Sequence, residues 1–244
     1  MLGIVLSSVK YGDSSLVVNV LTRDDGRRAF IVPARRSSRH VNVAAMLMPL
    51  SQIEFEPLLR RKNAMPRLAE PHLAFPYTSI HSDNVKRQVC FFIAELLVKS
   101  IPDDVPDPLL FDFVAQSLQA FDVNLPAPYN FHIFFMLNLS DFLGFGPDRQ
   151  RTACSVFDLQ AGVWTSSLPF HQHLLSGRMA DLWHAFASAD PLALDQISLS
   201  RQERHDLIDA LQDFYALHHP GFRQLQCPDF LASLSDNLYA PATL

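Results

Sequence analysis

The spacing of apolar residues changes near residue 80, and this change is the feature that most constrains the fold. Before it, short runs alternate apolar and polar side chains, as in residues 50–56, which is typical of strands with one buried face. After it, apolar positions within residues 85–97 recur three or four residues apart, which is typical of an amphipathic helix. The chain is therefore predicted to belong to the α+β class, with strands first and helices second.

The first 80 residues contain five strand-length segments separated by turn signals such as Asp24-Asp25-Gly26. The predicted strands cover residues 4–9, 16–22, 28–32, 50–56 and 65–69. A short sheet has to protect its edges, and closure into an OB-like or SH3-like barrel does so. Phe30 and Phe55 fall on alternating positions that suit a barrel core. We therefore predict a first domain at residues 1–80 that is a small β-barrel.

Residues 81–244 are predicted to form a mainly α-helical domain. Pro108 follows Asp107, which suits a helix start, and Ser200 with Glu203 forms a capping box for the last helix. A hairpin is expected near residues 153–168, with its turn close to Gly162. The predicted helices cover residues 85–97, 108–121, 129–143 and the segment from 200 to about 218.

The charge of the chain is divided between these two parts. The net charge is −5 over 244 residues, which alone argues against a nucleic-acid-binding protein. Residues 1–80, however, carry 11 basic and 6 acidic side chains, a net charge of +5, so residues 81–244 carry −10. The basic first part can therefore bind a polyanion although the whole chain is acidic.

Sequence motifs of catalysis, metal binding and export are not found. The chain has no phosphate-binding glycine loop and no nucleophile elbow, and no catalytic residue, cofactor or metal is predicted. His171 and His173 lie in a pattern that looks helical, so they and Cys227 are weak candidates for a metal-dependent enzyme. Three cysteines, no signal peptide and no membrane span predict a cytoplasmic protein without a membrane partner.

The basic residues of the first part supply the candidate functional site. Backbone phosphates are neutralised by Arg and Lys, and OB-type barrels commonly bind strands on their loops and one face. The alternative is that these residues lie on solvated loops without a ligand. Exposed aromatic residues are few, so we expect electrostatic contacts to the backbone to dominate over base reading. The predicted DNA-binding residues are Lys10, Arg27, Arg28, Arg35, Arg36, Arg39, Arg60, Arg61 and Lys62.

The sequence also resembles the RecO family of bacterial DNA repair proteins. The similarity is carried by Tyr11-Gly12-Asp13-Ser14-Ser15, Leu21-Thr22-Arg23-Asp24-Asp25-Gly26 and Ala34-Arg35-Arg36, and later by Leu143-Gly144-Phe145-Gly146-Pro147. It spans roughly residues 2–215. The resemblance implies an N-terminal OB fold, a helical domain and non-catalytic binding and annealing of single- and double-stranded DNA. It also implies work with RecR to load RecA onto strands coated by single-strand-binding protein.

Two departures from the family pattern affect the expected site. Many members have a four-cysteine zinc element after the Leu-Gly-Phe segment, whereas only Cys154 lies there in this chain, so zinc is not expected. In some members an arginine beside a Phe-Glu-Leu helix start receives the acidic tail of single-strand-binding protein. Phe134 occupies that position here. Either Arg149, Arg151 or Arg178 substitutes for that arginine, or the interaction is weak.

The function predicted from the sequence is thus a recombination mediator that binds DNA through its barrel. The alternative is a protein-interaction scaffold that recruits RecR and binds little DNA of its own.

Overall fold

The computed structural model describes residues 1–13, 15–33, 43–58, 65–123, 128–152 and 156–226. The chain divides into two compact units, unit 1 at Met1–Val123 and unit 2 at Asn124–Leu244. The predicted domain boundary at residue 80 falls inside unit 1, and as a statement about independently folding domains it stays a prediction. None of the helices within the described ranges is long and apolar enough to cross a membrane.

Unit 1 begins with a closed five-stranded barrel in the order β1-β2-β3-β5-β4, which confirms the predicted OB-like fold. Neighbouring strands are antiparallel except β3 and β5, which pair in parallel where Ile31 meets Arg67. A short helix, α1 (Val43–Met46), follows β3. The strands are β1 (Leu2–Tyr11), β2 (Ser15–Thr22), β3 (Gly26–Pro33), β4 (Gln52–Leu58) and β5 (Arg67–Phe75).

The barrel is filled by aliphatic side chains around one aromatic pair. The rings of Phe30 and Phe55 are 5.0 Å apart and nearly perpendicular, an arrangement that aromatic rings favour in cores. A β-bulge between Val5 and Ser7 shifts the alternation along β1. Because of this shift, the second half of β1 turns Ser7 and Val9 away from the core.

Two helices complete unit 1, namely α2 (Asn84–Ser100) and α3 (Pro108–Val123). The Asp83 carboxylate accepts hydrogen bonds from the first turn of α2, and Asp107 does the same for α3. The predicted helix start at Asp107 and Pro108 is therefore confirmed, and α2 covers the helix predicted at residues 85–97. Within α3, the buried Asp122 carboxylate accepts three backbone hydrogen bonds, from the N–H groups of residues 78, 79 and 80. These bonds fix the segment that connects β5 to α2.

Unit 2 is helical around a buried apolar helix, α4 (Phe131–Phe142). Gly144 follows its end with a φ of 85°, a left-handed conformation that glycine adopts easily and that stops a helix. The other elements are β6 (Val156–Asp158), β7 (Val163–Thr165), β8 (Leu174–Leu175), α5 (Gly177–Ala187) and α6 (Arg201–His218), with short 3₁₀ helices at Pro128–Asn130 and Pro191–Gln196.

Two sequence features of unit 2 are confirmed and one is wrong. Strands β6 and β7 form the predicted hairpin. The Ser200–Glu203 capping box is also present, because each residue's backbone N–H donates a hydrogen bond to the side chain of the other. The helical pattern expected around His171 and His173 is wrong, because His171 lies in a bend and His173 directly precedes β8. The reason is that the next helix begins only at Gly177, after the strand pairing of Leu174 and Leu175 with β6.

Candidate nucleic-acid interface

The strand register sorts the barrel residues into two ends. Tyr11 pairs with Ser15, Ser15 pairs with Pro33, and Leu58 pairs with Arg67, which itself lies beside Ile31. We call this the Lys10 end, defined by Lys10, Tyr11, Pro33, Leu58 and Arg67. The other end, called the Gln52 end, is defined by Thr22, Gly26, Gln52 and Phe75, which are linked by the same register.

The Gln52 end contacts the helices of unit 1 through polar side chains. Gln52 donates from Nε2 to the carbonyl oxygen of Ala115 at 2.8 Å. Arg23 forms a bidentate pair with Asp112, with nitrogen–oxygen distances of 3.0 and 2.9 Å. These charge-assisted hydrogen bonds raise the pKa of Arg23 and lower the pKa of Asp112 from their ordinary values. The contacts attach this end of the barrel to α3.

Arg27 and Arg28, two of the predicted DNA-binding residues, also lie at the Gln52 end. Arg27 Nε lies 2.7 Å from Asp103, and its guanidinium donates to the carbonyl oxygen of Val98. Arg28 lies 3.1 Å from both Asp25 and Asp104. Asp103 and Asp104 lie in the connection before α3, and both remain largely exposed although each pairs with a barrel arginine. The charge of Arg27 and Arg28 is thus balanced within unit 1.

The Lys10 end has a different electrostatic environment. Lys10 is exposed, and the described residues provide no carboxylate within salt-bridge distance of it. Arg67, which the sequence analysis missed, begins β5 here, and its Nε is buried without a hydrogen-bond partner in the described ranges. Its position five residues after Lys62 was the signal that could have indicated it. Two cations therefore lie at this end without balancing acids in the part of the chain that the structure describes.

The remaining predicted DNA-binding residues fall outside the described residues. They occupy two segments, residues 34–42 and 59–64, which are joined by peptide bonds to Pro33 and Leu58 of the Lys10 end. The structure thus separates the predicted set into Lys10 at one end and Arg27 and Arg28 at the other. The residues outside the described ranges are Arg35, Arg36, Arg39, Arg60, Arg61 and Lys62.

The outer faces of the barrel strands also differ in charge. Strands β4 and β5 expose Glu54, Glu56 and Glu70, and His72 Nε2 lies 3.1 Å from Glu54. The outward positions of β1 and β2 include Ser7, Val9 and Val17. Strands β1, β2 and β3 contain no acidic residue. A polyanion is repelled by the first face and not by the second.

The arginines predicted to receive a partner are all held by carboxylates in unit 2. Arg149 Nη2 lies 2.6 Å from Asp141, and Arg151 Nη1 lies 2.7 Å from Asp181. Arg151 also lies over the ring of Trp164, at 4.9 Å from its centre. Arg178 Nε lies 2.9 Å from Glu203. Hydrogen bonds from Ser200 and Arg178 lower the pKa of Glu203 to about 2, so this carboxylate is ionised at neutral pH.

The described residues offer no cluster of His, Cys, Asp and Glu that could hold a metal ion. Cys154 and Cys227 lie outside the described residues, and His171 pairs with Asp158 at 3.3 Å. Cys90 is buried, and its burial raises the pKa of its thiol above the ordinary value. A thiol with a raised pKa is a poor nucleophile at neutral pH.

Comparison with known proteins gives consistent results along the chain. Residues 1–77 match the sequence model described as recombination protein O N terminal, and residues 81–224 match recombination protein O C terminal. The DNA repair protein RecO of Phocaeicola vulgatus is 30% identical over 95% of this chain and 97% of its own length. The protein of the same name from Bacteroides fragilis is 30% identical over 96% and 98% of the two chains, and that of Flavobacterium psychrophilum is 30% identical over 91% and 92%. The chain belongs to the recombination protein O family.

Proposed function

We propose that this protein acts in DNA repair as a non-catalytic recombination mediator, and that it binds DNA at the Lys10 end of its barrel. The observation that supports the site is the strand register, which brings the ends of β1, β3 and β4 and the start of β5 together. Two segments rich in arginine and lysine are joined to this same end. The Gln52 end is a poorer candidate, because its arginines already pair with aspartates of unit 1.

The proposed contact is with the phosphate backbone. Lys10, Arg67 and the six basic residues of the two adjoining segments would neutralise phosphates and release bound counterions, so affinity would fall steeply with salt. Glu54, Glu56 and Glu70 on the outer face of β4 and β5 would keep the strand away from that side. The DNA would then pass over the Lys10 end and the outer face of β1, β2 and β3.

The test is fluorescence anisotropy of a labelled single-stranded oligonucleotide, titrated with the protein over a range of salt concentrations. Replacing Arg35, Arg36 and Arg39 together by alanine is expected to weaken binding. It should flatten the plot of log affinity against log salt by up to about 0.7 for each lost phosphate contact. The matched control replaces Arg87 in α2, Arg201 in α6 and Arg223 in the segment after α6, which removes the same charge away from the barrel sequence, and should leave the slope unchanged.

The mediator role also includes protein partners. We propose that the protein works with RecR in loading RecA onto strands coated by single-strand-binding protein, and that unit 2 receives the acidic tail of the latter. Arg149, Arg151 and Arg178 are the candidate residues, and each would have to exchange its carboxylate partner, Asp141, Asp181 or Glu203, for a carboxylate of the tail. The alternative is a protein-interaction scaffold that recruits RecR and binds little DNA of its own. This alternative would be favoured if the wild-type protein bound RecR at high salt but showed no affinity for DNA at low salt.

A further inference from the structure

An aromatic ring lies exposed at the Lys10 end. Tyr11 is 61% exposed, and its side chain has neither a hydrogen bond nor a ring contact among the described residues. Other aromatic residues of the barrel are engaged elsewhere. Phe30 and Phe55 are fully buried against each other, and the Tyr77 hydroxyl donates to the carbonyl oxygen of Leu50 while its ring packs on Phe75. Tyr11 is therefore the aromatic residue of the described strands that a ligand can reach.

Tyr11 belongs to an uncharged surface on the outside of the sheet. The β-bulge after Val5 turns Ser7, Val9 and Tyr11 outward, and the side chain of Asn19 donates to Ser7 Oγ on the same side at 2.9 Å. Val9 is 62% exposed. The register adds Val17 and Ile31 of the neighbouring strands in the same row as Val9. We call this surface the β1–β3 face, defined by Ser7, Val9, Tyr11, Val17, Asn19 and Ile31.

Cations border this face without covering it. Arg67 continues the row formed by Val9, Val17 and Ile31, while Lys10, which precedes Tyr11 in β1 and pairs with Leu16, lies on the other side of the strand at the same end of the barrel. A phosphate gains little from an apolar surface, whereas the flat face of a nucleobase stacks favourably on an aromatic ring. The arrangement suits a single DNA strand whose phosphates contact the cations at the edge of the face and whose bases contact the face itself. In a duplex the bases stack on each other and cannot reach it.

We propose that the β1–β3 face binds unpaired nucleobases, with the ring of Tyr11 as the stacking surface, and thereby selects single-stranded over double-stranded DNA. The inference rests on the proposed function, since it needs DNA at the Lys10 end. It assigns to the barrel a contact with bases in addition to the contact with phosphates. It also changes the expectation from sequence that backbone electrostatics dominate.

The test compares Tyr11→Ala, Tyr11→Phe and the wild-type chain on a labelled single strand and on a duplex of the same length. Tyr11→Ala should weaken single-strand binding by roughly 5- to 100-fold, because stacking on an aromatic ring contributes about that factor per base. Duplex affinity and the salt slope should not change. Tyr11→Phe should retain binding, because it keeps the ring. The matched control is Leu73→Ala, an exposed apolar residue on β5, which should have no effect.

An abasic oligonucleotide separates the two kinds of contact. Wild-type protein should bind the abasic strand about as weakly as Tyr11→Ala binds the normal strand, and the substitution should cause no further loss on the abasic strand. Equal losses on single strand, duplex and abasic strand would overturn the stacking role. If Tyr11→Ala binds the single strand as tightly as wild-type protein and the binding still weakens with salt, the stacking inference is overturned and the proposed function is not. Absence of any binding by wild-type protein at low salt would overturn the proposed function with it.

Discussion

The two ends of the barrel are built from the same strands and carry the same kind of cation, but their neighbours differ. At the Gln52 end, Arg23, Arg27 and Arg28 meet aspartates of α3 and of the connection that precedes it. At the Lys10 end, Lys10 and Arg67 have no such partner within the described ranges. The role of a basic residue is therefore decided by the carboxylates that the fold brings to it. A count of charges along the sequence cannot distinguish the two cases.

The largest expected effect concerns two glycines, one near each end, that share a left-handed backbone. Gly26 has a φ of 73°, and a Cβ there would lie 2.4 Å from the carbonyl oxygen of Val105. Gly12 has a φ of 61° with no atom within 4 Å. Gly26→Ala should lower the free energy of unfolding by roughly 2–4 kcal/mol through strain and overlap, and Gly12→Ala by about 1 kcal/mol through strain alone. Urea unfolding measures both. Equal losses would show that the close approach to Val105 does not constrain the Gln52 end.

The next effect concerns the carboxylate that anchors the connection after β5. Burial alone would raise the pKa of Asp122, but hydrogen bonds from the N–H groups of Thr78, Ser79 and Ile80 lower it to about 2. A folded-state pKa below the ordinary value of 3.8 stabilises the protein above that value, and the stabilisation is lost as pH falls from about 4 to about 2.

Asp122→Asn should therefore unfold more easily than wild-type protein by roughly 2 kcal/mol at pH 7. The difference should narrow as the pH is lowered from about 4 to about 2, which urea titrations at several pH values can follow. Asp13→Asn, an exposed change close to the Lys10 end, should show no such difference at pH 7. A gap between Asp122→Asn and wild type that is constant with pH would contradict the role assigned to the ionised carboxylate.

A smaller effect should separate the two ends in DNA binding. Lys10→Ala should reduce the salt slope for a single strand by about 0.7, the value of one phosphate contact, and leave urea unfolding unchanged. Arg28→Ala removes the same charge at the Gln52 end, where Asp25 and Asp104 hold the side chain, and should leave the slope as it is. A slope that falls equally in both variants would show that the ends are alike toward DNA.

Much of the fold could be predicted because it follows local patterns. The alternation around Phe30 and Phe55 indicated the barrel core. Asp107 and Ser200 indicated helix starts, because their side chains accept hydrogen bonds from the first turn of the helix that follows. The hairpin after residue 155 followed from strand propensity and a glycine at its turn. These signals depend only on residues that are close together in the chain, so they can be recognised in the sequence without the structure.

The candidate site was less predictable because it depends on contacts between distant residues. Arg27 and Asp103 are 76 residues apart, and no local pattern indicates that they form a pair. The exposure of Tyr11 depends on a bulge that reverses the alternation of β1, which the apolar pattern of the strand does not show. The segment around His171 and His173 was wrongly predicted to be helical, because the strand that follows has only two residues and is too short to show an alternation of apolar and polar side chains. The grouping of Lys10 with Arg67 likewise required the register of four strands.

The smallest expected effect tests whether the aspartates at the Gln52 end only balance charge. Asp103→Asn with Asp104→Asn should change the free energy of unfolding by less than about 1 kcal/mol, because both carboxylates are largely exposed, at 69% and 71%. The salt slope of DNA binding should stay the same, since Arg27 remains mostly buried and hydrogen-bonded to Val98. Anisotropy at several salt concentrations, with wild-type protein alongside, measures this. A slope that becomes steeper would mean that the aspartates conceal a second phosphate-binding surface, and the contrast between the ends would then depend on two carboxylates rather than on the fold.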